Sequence, residues 1–210
     1  MRVAILGGTG SFGRALAVRL VALGEDEVFI GSRDDARAKA AAAELGAHAQ
    51  GGTNDDAVQG ADIAVLAVKA EAALETATSV ASSLGKTPLL SVASALTFAP
   101  GGVRPDPDAR SLAERIQDVV EGPVVAGLHS IAAANLDAAP PEEDALVCGD
   151  DADAKKLALE LAAKLVAGRA LDAGPLASAR TLEGLTAVIV NLNRRYKAHA
   201  GLAVTGIPGS

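Results

Sequence analysis

Short apolar runs of strand type alternate with helical stretches from the start of the chain, the connections are brief, and the first strand-to-helix junction is packed with glycine. Together these features predict an α/β protein built on a doubly wound parallel sheet. The first run, "RVAIL" from Arg2 to Leu6, is short, apolar and ended by glycines. Ser11 to Leu23 then puts Phe12, Leu16, Leu20 and Leu23 at helical spacing, and Gly24 stops it. Glu27 to Ile30 reads as the second strand. Asp34 to Leu45 is alanine-rich with interleaved charges, a composition with strong helix propensity, and Gly46 terminates it.

The third strand is expected at Ala61 to Val68, "ADIAVLAV", whose nearly continuous apolar character suits a strand covered on both faces. A helix over Glu71 to Leu84 and a strand over Pro88 to Val92 continue the alternation. Thr97 to Arg110, "TFAPGGVRPDPDAR", breaks the rhythm. Its prolines and glycines argue against regular structure, so it is expected to be a functional flap or a linker. Beyond it come a helix at Ser111 to Val120, strands at Pro123 to Gly127 and Ala145 to Cys148, a helix at Ala152 to Val166 and a strand at Arg169 to Leu171. The longest helical candidate, Leu176 to His199, lies near the end and is expected to pack across the sheet or against another subunit. The expected organisation is a dinucleotide-binding domain over 1–127 and a smaller C-terminal α/β extension over 128–210 ending in that long helix.

Composition narrows the function. At 210 residues the chain is long enough to bury most of its unfolded surface in one domain plus a small appendage. Half of it is apolar but only 2% is aromatic, so the core is built from Ala, Val, Leu and Ile, and base-stacking platforms for nucleic acid are not expected. A net charge of −7 argues against nucleic-acid backbones or anionic membranes as the main partner. The single cysteine, Cys148, has no disulfide partner, gives no support for a structural metal site, and reads as a small buried hydrophobe in "ALVCG". The N-terminal apolar run is too short for a signal core or a membrane span, which points to a cytoplasmic protein.

"GGTGSFG" contains Gly8-x-Gly10-x-x-Gly13 directly after the first strand, opening the first helix. A lone glycine fingerprint is weak, but this position supplies its mechanics, which make the sheet of the Rossmann type. Gly8 is assigned the tight turn, Gly10 the close approach of backbone to a pyrophosphate, and Gly13 the close packing of helix on strand. The helix N-terminus then faces the anion.

Ser32 follows nineteen residues beyond Gly13, then Arg33, where an NAD site carries a carboxylate for the ribose hydroxyls. A hydroxyl and a guanidinium instead complement a 2′-phosphate, with Arg37 on the next helical turn closing a clamp, so NADP(H) is the favoured dinucleotide. The competing reading has Ser32 capping the helix, both arginines solvated, and Asp34 and Asp35 stabilising the helix N-terminus, and the same two carboxylates keep NAD as the runner-up.

"MRVAILGGTGSFGRALAVRL", "GSR" with a basic residue at Arg37, "LHSIAAANL", "VCGDDADAKK", "LDAGPLASAR" and "EGLTAVIVNLNRRYKAHAG" together resemble the reductases that pass hydride between NADP and the deazaflavin coenzyme F420. The likeness spans nearly the whole chain, and its later segments are the more specific ones. It implies a cytoplasmic homodimer with NADP(H) and coenzyme F420 as small-molecule partners. In that family hydride moves directly between two stacked rings in a cleft at the carboxyl ends of the strands. It further implies that His129 hydrogen-bonds or polarises a ring oxygen and that Ile131 sets the ring spacing. Thr9, Ser11 and Phe12 would surround the pyrophosphate and nicotinamide, and Thr186 would lie near the deazaflavin.

Without the resemblance, His129 reads as a structural histidine and Thr186 as a hydroxyl bonded back to a helical carbonyl. Two stretches depart from the family pattern. Lys69 in "AVKAEAA" stands where a proline is common, and "LLSVASALTFAPGG" lacks the prolines common after the fourth strand.

Other activities fit less well. A short-chain dehydrogenase needs a tyrosine with a lysine four residues on, but Tyr196 is followed at that spacing by Ala200. Reduction of an imine or keto acid, and a non-catalytic NADPH-binding redox sensor, remain as alternatives. Arg104, Arg110, Arg180, Arg194, Arg195 and Lys197 are the positive groups available for an anionic acceptor tail.

Overall fold

The computed structural model describes residues 1–136 and 140–207. Residues 137–139 and 208–210 of the expected C-terminal region lie outside the described residues.

Eight strands form one sheet in the order β10-β9-β8-β5-β4-β1-β2-β3. Its first half comprises β1 (Arg2–Leu6), α1 (Ser11–Leu23), β2 (Glu27–Ser32), α2 (Asp35–Leu45), β3 (Ala49–Thr53), α3 (Asn54–Val58), β4 (Ile63–Leu66), α4 (Ala70–Leu84) and β5 (Leu89–Ser91). The second half comprises α5 (Leu112–Gln117), β8 (Val124–Gly127), α6 (Ala133–Leu136), β9 (Ala145–Gly149), α7 (Ala152–Leu165), β10 (Ala170–Asp172) and α8 (Ala179–Tyr196). Between the halves, β6 (Leu96–Ala99) and β7 (Gly102–Pro105) make a separate antiparallel hairpin.

The six strands β3-β2-β1-β4-β5-β8 pair in parallel and give the Rossmann order, in which winding reverses between β1 and β4. On its far side β8 pairs antiparallel with β9, so the sheet runs unbroken across the 127/128 division.

The strand side chains sort by period. Val3 and Ile5, with Val28, Ile30, Ile63 and Val65, pack under α1, α2 and α7, whereas Ala4, Leu6, Ala64, Leu66 and Leu89 pack under α3, α4 and α5. Ile5, Leu6, Ile30, Ile63, Leu66 and Leu89 are fully enclosed. Each such side chain contributes about 2 kcal/mol of burial, which holds the β1/β4 switch point rigid beneath the site.

Several expectations are corrected. The strand expected third is the fourth along the chain, because β3 and α3 precede it. "AQGGT" lacks an apolar alternation, and its strand character comes from contact with α2: a Cβ at Gly51 would run into the backbone of Ala38 and Lys39. The stretch expected to be irregular contains most of the β6–β7 hairpin. Pro100 falls in its turn and Pro105 at its last residue, so neither interrupts the ladder. The helix expected over Ser111 to Val120 spans only Leu112–Gln117, with Ser111 and Glu114 forming a capping box at its start. The final helix begins with a 3₁₀ turn at Leu176–Ser178 and ends at Tyr196, where Lys197 adopts φ 50°.

Candidate functional site

The glycine turn leaves β1 at its carboxyl end. The sequence assigned the tight turn to Gly8, but the positive φ, 80°, belongs to Gly7. Gly7 and Gly8 both donate their N–H to the Gly31 carbonyl at 3.1 Å, tying the turn to β2. Gly13 has the packing role expected of it, since a Cβ there would lie 2.6 Å from the Gly7 oxygen and 2.8 Å from the Gly8 Cα. Gly10 is the N-cap of α1, with no side-chain cap and no acidic residue in the first turn. The amides and positive end of α1 are therefore left for an external anion. Thr9, Ser11 and Phe12 flank this point, with Ser11 exposed and Thr9 and Phe12 half-buried.

At the end of β2, Ser32 is buried and its Oγ accepts from the Asp34 N–H at 3.2 Å. It does not cap α2. Asp34 does, accepting from the Arg37 N–H at 3.0 Å, while Asp35 pairs with Lys39 at 2.8 Å. Both carboxylates that could serve a ribose thus hold the helix start. Arg33 and Arg37 are exposed beside the glycine turn, and the Arg37 guanidinium reaches the Thr9 carbonyl at 3.5 Å.

Beside the turn, a cleft of about 540 Å³ opens at the carboxyl ends of β1, β4, β5 and β8. Its walls include Phe12 and Val68 on one side, Leu128, His129 and Ile131 on another, and Leu96 and Phe98 of the hairpin. Size and apolar lining suit a flat organic ligand. Lys69 stands exposed on its rim as the N-cap residue of α4, and Thr186 reaches it from α8.

Leu128 has φ 63°, a left-handed conformation that costs a β-carbon-bearing residue about 1–3 kcal/mol. It is held there by its own burial, by its N–H to the Leu146 carbonyl at 3.3 Å and by the Ile131 N–H to its carbonyl at 3.0 Å. This bend follows β8 directly and carries His129 and Ile131 into the cleft wall. Thr186 does not bond back within its helix. Its Oγ1 donates to the His129 carbonyl at 2.9 Å and shares a hydrogen bond with Ser94 at 2.8 Å.

His129 is 7% exposed, and among the described residues neither ring nitrogen has a hydrogen-bond partner. Burial lowers its pKa to about 4, against a smaller opposing effect of the nearby Ala93 backbone, which does not complete a hydrogen bond to the ring. A buried imidazole with both nitrogens unmatched costs stability unless something else pairs with it. The residue borders the cleft on one side and a small space beside Leu146, Leu182 and Leu185 on another.

Among the six basic candidates, Arg110 is engaged with Asp118 and the Glu114 carbonyl, and Arg180 donates to the Asp106 carbonyl at 2.7 Å. Arg194 lies over the Phe98 ring at 5.4 Å. Cys148 is fully buried and its thiol is pushed up to about 12 by burial, in keeping with a packing role. Sequence reasoning missed Gly7, Ser94, Leu128 and Phe98. The adjacent glycines offered a hint of Gly7, but no local pattern marks a left-handed leucine.

Comparison with known proteins covers nearly the entire chain. The family described as NADP oxidoreductase, coenzyme F420-dependent, matches residues 2–95. An F420-dependent NADP reductase of Methanothermobacter marburgensis is 36% identical across 99% of this chain and 100% of its own. A solved structure from Arthrobacter sp. FB24 superposes with a TM-score of 0.85 at 29% identity, covering 98% of this chain and 100% of that one. Pyrroline-5-carboxylate reductase of Coxiella burnetii shares the fold at a TM-score of 0.65, with 16% identity over 93% of this chain and 66% of that one.

Proposed function

This chain belongs to the F420-dependent NADP reductase family, and from that premise we propose that it is an oxidoreductase joining NADP(H) to a deazaflavin coenzyme of the F420 type. The observation that carries the reading is the cleft: an uncapped helix N-terminus meets an apolar slot holding a buried imidazole with both nitrogens unmatched. Both coenzymes fit what is there. The glycine turn packs so closely on itself that a Cβ at Gly13 would strike the Gly7 and Gly8 backbone, the α1 amides are left without a side-chain cap, and the mostly apolar slot of about 540 Å³ has room for a ring.

When bound, the two coenzymes supply the redox chemistry themselves, a direct hydride transfer between nicotinamide and deazaflavin ring carbons. The chain's share is position and dryness. Gly8, Gly10 and Gly13 shape the turn, while Thr9, Ser11 and Phe12 line the pyrophosphate and nicotinamide side. Ser32, Arg33 and Arg37 recognise the 2′-phosphate, a role favoured by the other engagements of Asp34 and Asp35. Neutral His129 offers one N–H to a ring oxygen without introducing a charge, and Ile131 packs against the ring face. Thr186 keeps the His129 backbone in register, and so residues 128–210 complete the cleft.

The same C-terminal region offers the surface for a second copy. Val188, Leu192 and Tyr196 stand exposed at successive turns of α8, with relative exposures of 53%, 39% and 69%. A homodimer working in the cytoplasm is therefore part of the proposal. Among the described residues, no helix is long and apolar enough to cross a membrane.

The test mixes the purified protein with NADPH and oxidised F420 and follows bleaching of the deazaflavin absorbance, with NADH and flavin mononucleotide as controls. Bleaching that requires both NADPH and the deazaflavin is expected. NADPH binding without bleaching refutes the acceptor and leaves a redox sensor or an imine or keto-acid reductase.

A further inference from the structure

The chain has only three phenylalanines and one tyrosine, yet two of these four rings, Phe12 and Phe98, line the same cleft. Phe12 belongs to the glycine turn. Phe98 comes from the hairpin, and it is 63% exposed while bordering the cleft. Leu96 and Phe98 are two residues apart on one strand and project to the same side, toward the cleft.

The hairpin is not a loose flap. Phe98 pairs with Val103 across the ladder, and the outward N–H and C=O of Val103 are both taken by the Asn191 amide, each at 2.8 Å. Arg180 adds a bond to the Asp106 carbonyl just beyond the hairpin. The Arg194 guanidinium lies over the Phe98 ring at 5.4 Å, within cation–π reach. Thus α8 holds the hairpin wall through Asn191 and Arg194, and the His129 wall through Thr186.

We propose that Phe98 is a specificity-determining residue for the acceptor: its ring, steadied by Arg194, forms the outer wall of the cleft and stacks on the deazaflavin, making the slot selective for an extended flat ring. The inference rests on the proposed acceptor and assigns this chain's own residue to it. Because Phe98 is largely exposed in the free protein, a docking ring covers apolar surface that folding leaves open, so the gain appears in acceptor binding and leaves folding nearly unchanged. NADP(H) recognition, centred on the glycine turn and Arg33, is untouched.

The test is equilibrium binding of oxidised F420, read by quenching of its fluorescence, beside binding of NADPH to the same preparations. The proteins are wild type, Phe98→Ala, Phe98→Tyr and Arg194→Gln. Phe98→Ala is expected to weaken F420 about tenfold or more, with Phe98→Tyr restoring most of the affinity and Arg194→Gln giving a loss of a few fold. NADPH affinity and the thermal midpoint should stay at wild-type values in all three variants. If wild-type protein binds F420 and Phe98→Ala binds it within twofold as well, or loses NADPH in equal measure, the role of Phe98 is overturned and the acceptor stands. Wild-type protein that binds NADPH but no deazaflavin overturns the acceptor, and the role of Phe98 with it.

Discussion

Replacing Arg33 by alanine is expected to separate the two nicotinamide carriers. The residue is exposed beyond β2, next to a turn whose amides are open to phosphate, and the two neighbouring aspartates are committed to capping and to Lys39. A hydrogen bond to a charged group is worth about 1.5–3 kcal/mol, and exposure at the surface argues for the lower half of that range. NADPH affinity should therefore fall roughly 10- to 40-fold, while NADH, which lacks the 2′-phosphate, should change by less than about twofold. Raising the salt concentration should narrow the gap, because an exposed pair is screened. Isothermal titration of both carriers at two ionic strengths reads all of this. An equal loss for NADPH and NADH would refute the electrostatic reasoning, and a loss confined to NADH would return the ribose to a carboxylate.

Other perturbations address the turn, the wall and the imidazole. Gly13→Ala should destabilise the fold by about 1–3 kcal/mol in urea unfolding, because its Cβ meets unyielding backbone of Gly7 and Gly8; a wild-type midpoint would mean that the turn relaxes freely. Thr186→Val removes the donor to the His129 carbonyl and the bond to Ser94, so a stability loss of about 1 kcal/mol should accompany an increased KM for the acceptor, with NADPH binding intact. The folded pKa of His129, about 4, lies below its ordinary 6.5, so the unfolded chain binds the extra proton first as pH falls. That contribution to stability is fully present above pH 6.5 and is lost progressively as pH falls toward 4, about 3 kcal/mol across the window. Urea midpoints measured against pH should show this slope in wild type and lack it in His129→Asn, and parallel curves would exclude a depressed imidazole.

The framework was legible because it rests on local signals. The strands around the switch point are nearly continuous apolar runs, and the helices between them end at glycines, as α1 does at Gly24 with φ 68°. The glycine turn was legible for the same reason, although the left-handed residue proved to be Gly7. What escaped depends on contacts remote in sequence. Strand β3 exists because "AQGGT" fits beneath α2, and the hairpin exists in part because Asn191, 88 residues away, satisfies the open edge of Val103. The bend at Leu128 is set by burial and by Leu146. Sequence could place His129 near the cleft by resemblance, but its unmatched nitrogens follow only from three-dimensional packing.

The ionisable groups lining the cleft are Lys69, Glu71 and His129, and a transfer between two bound rings depends above all on the spacing of those rings, which demands rigid walls. The attachments of α8 meet that demand. Glu183, buried at 3% exposure, accepts from the N–H groups of Leu112 and Ala113 at 3.0 and 3.1 Å, and so fixes α8 against the start of α5. Burial raises its pKa, opposed by those two bonds, and a neutral carboxyl could still accept one of them. Thr186 follows one turn later on the His129 carbonyl, then Asn191 on Val103 and Arg194 on Phe98, over roughly 17 Å of helix. Three of the four attachments end on backbone atoms, which move less than side chains, so sliding α8 would break several hydrogen bonds together. The distance between the imidazole wall and the hairpin wall is thereby fixed by one helix, and the cleft is built for a ligand of fixed thickness.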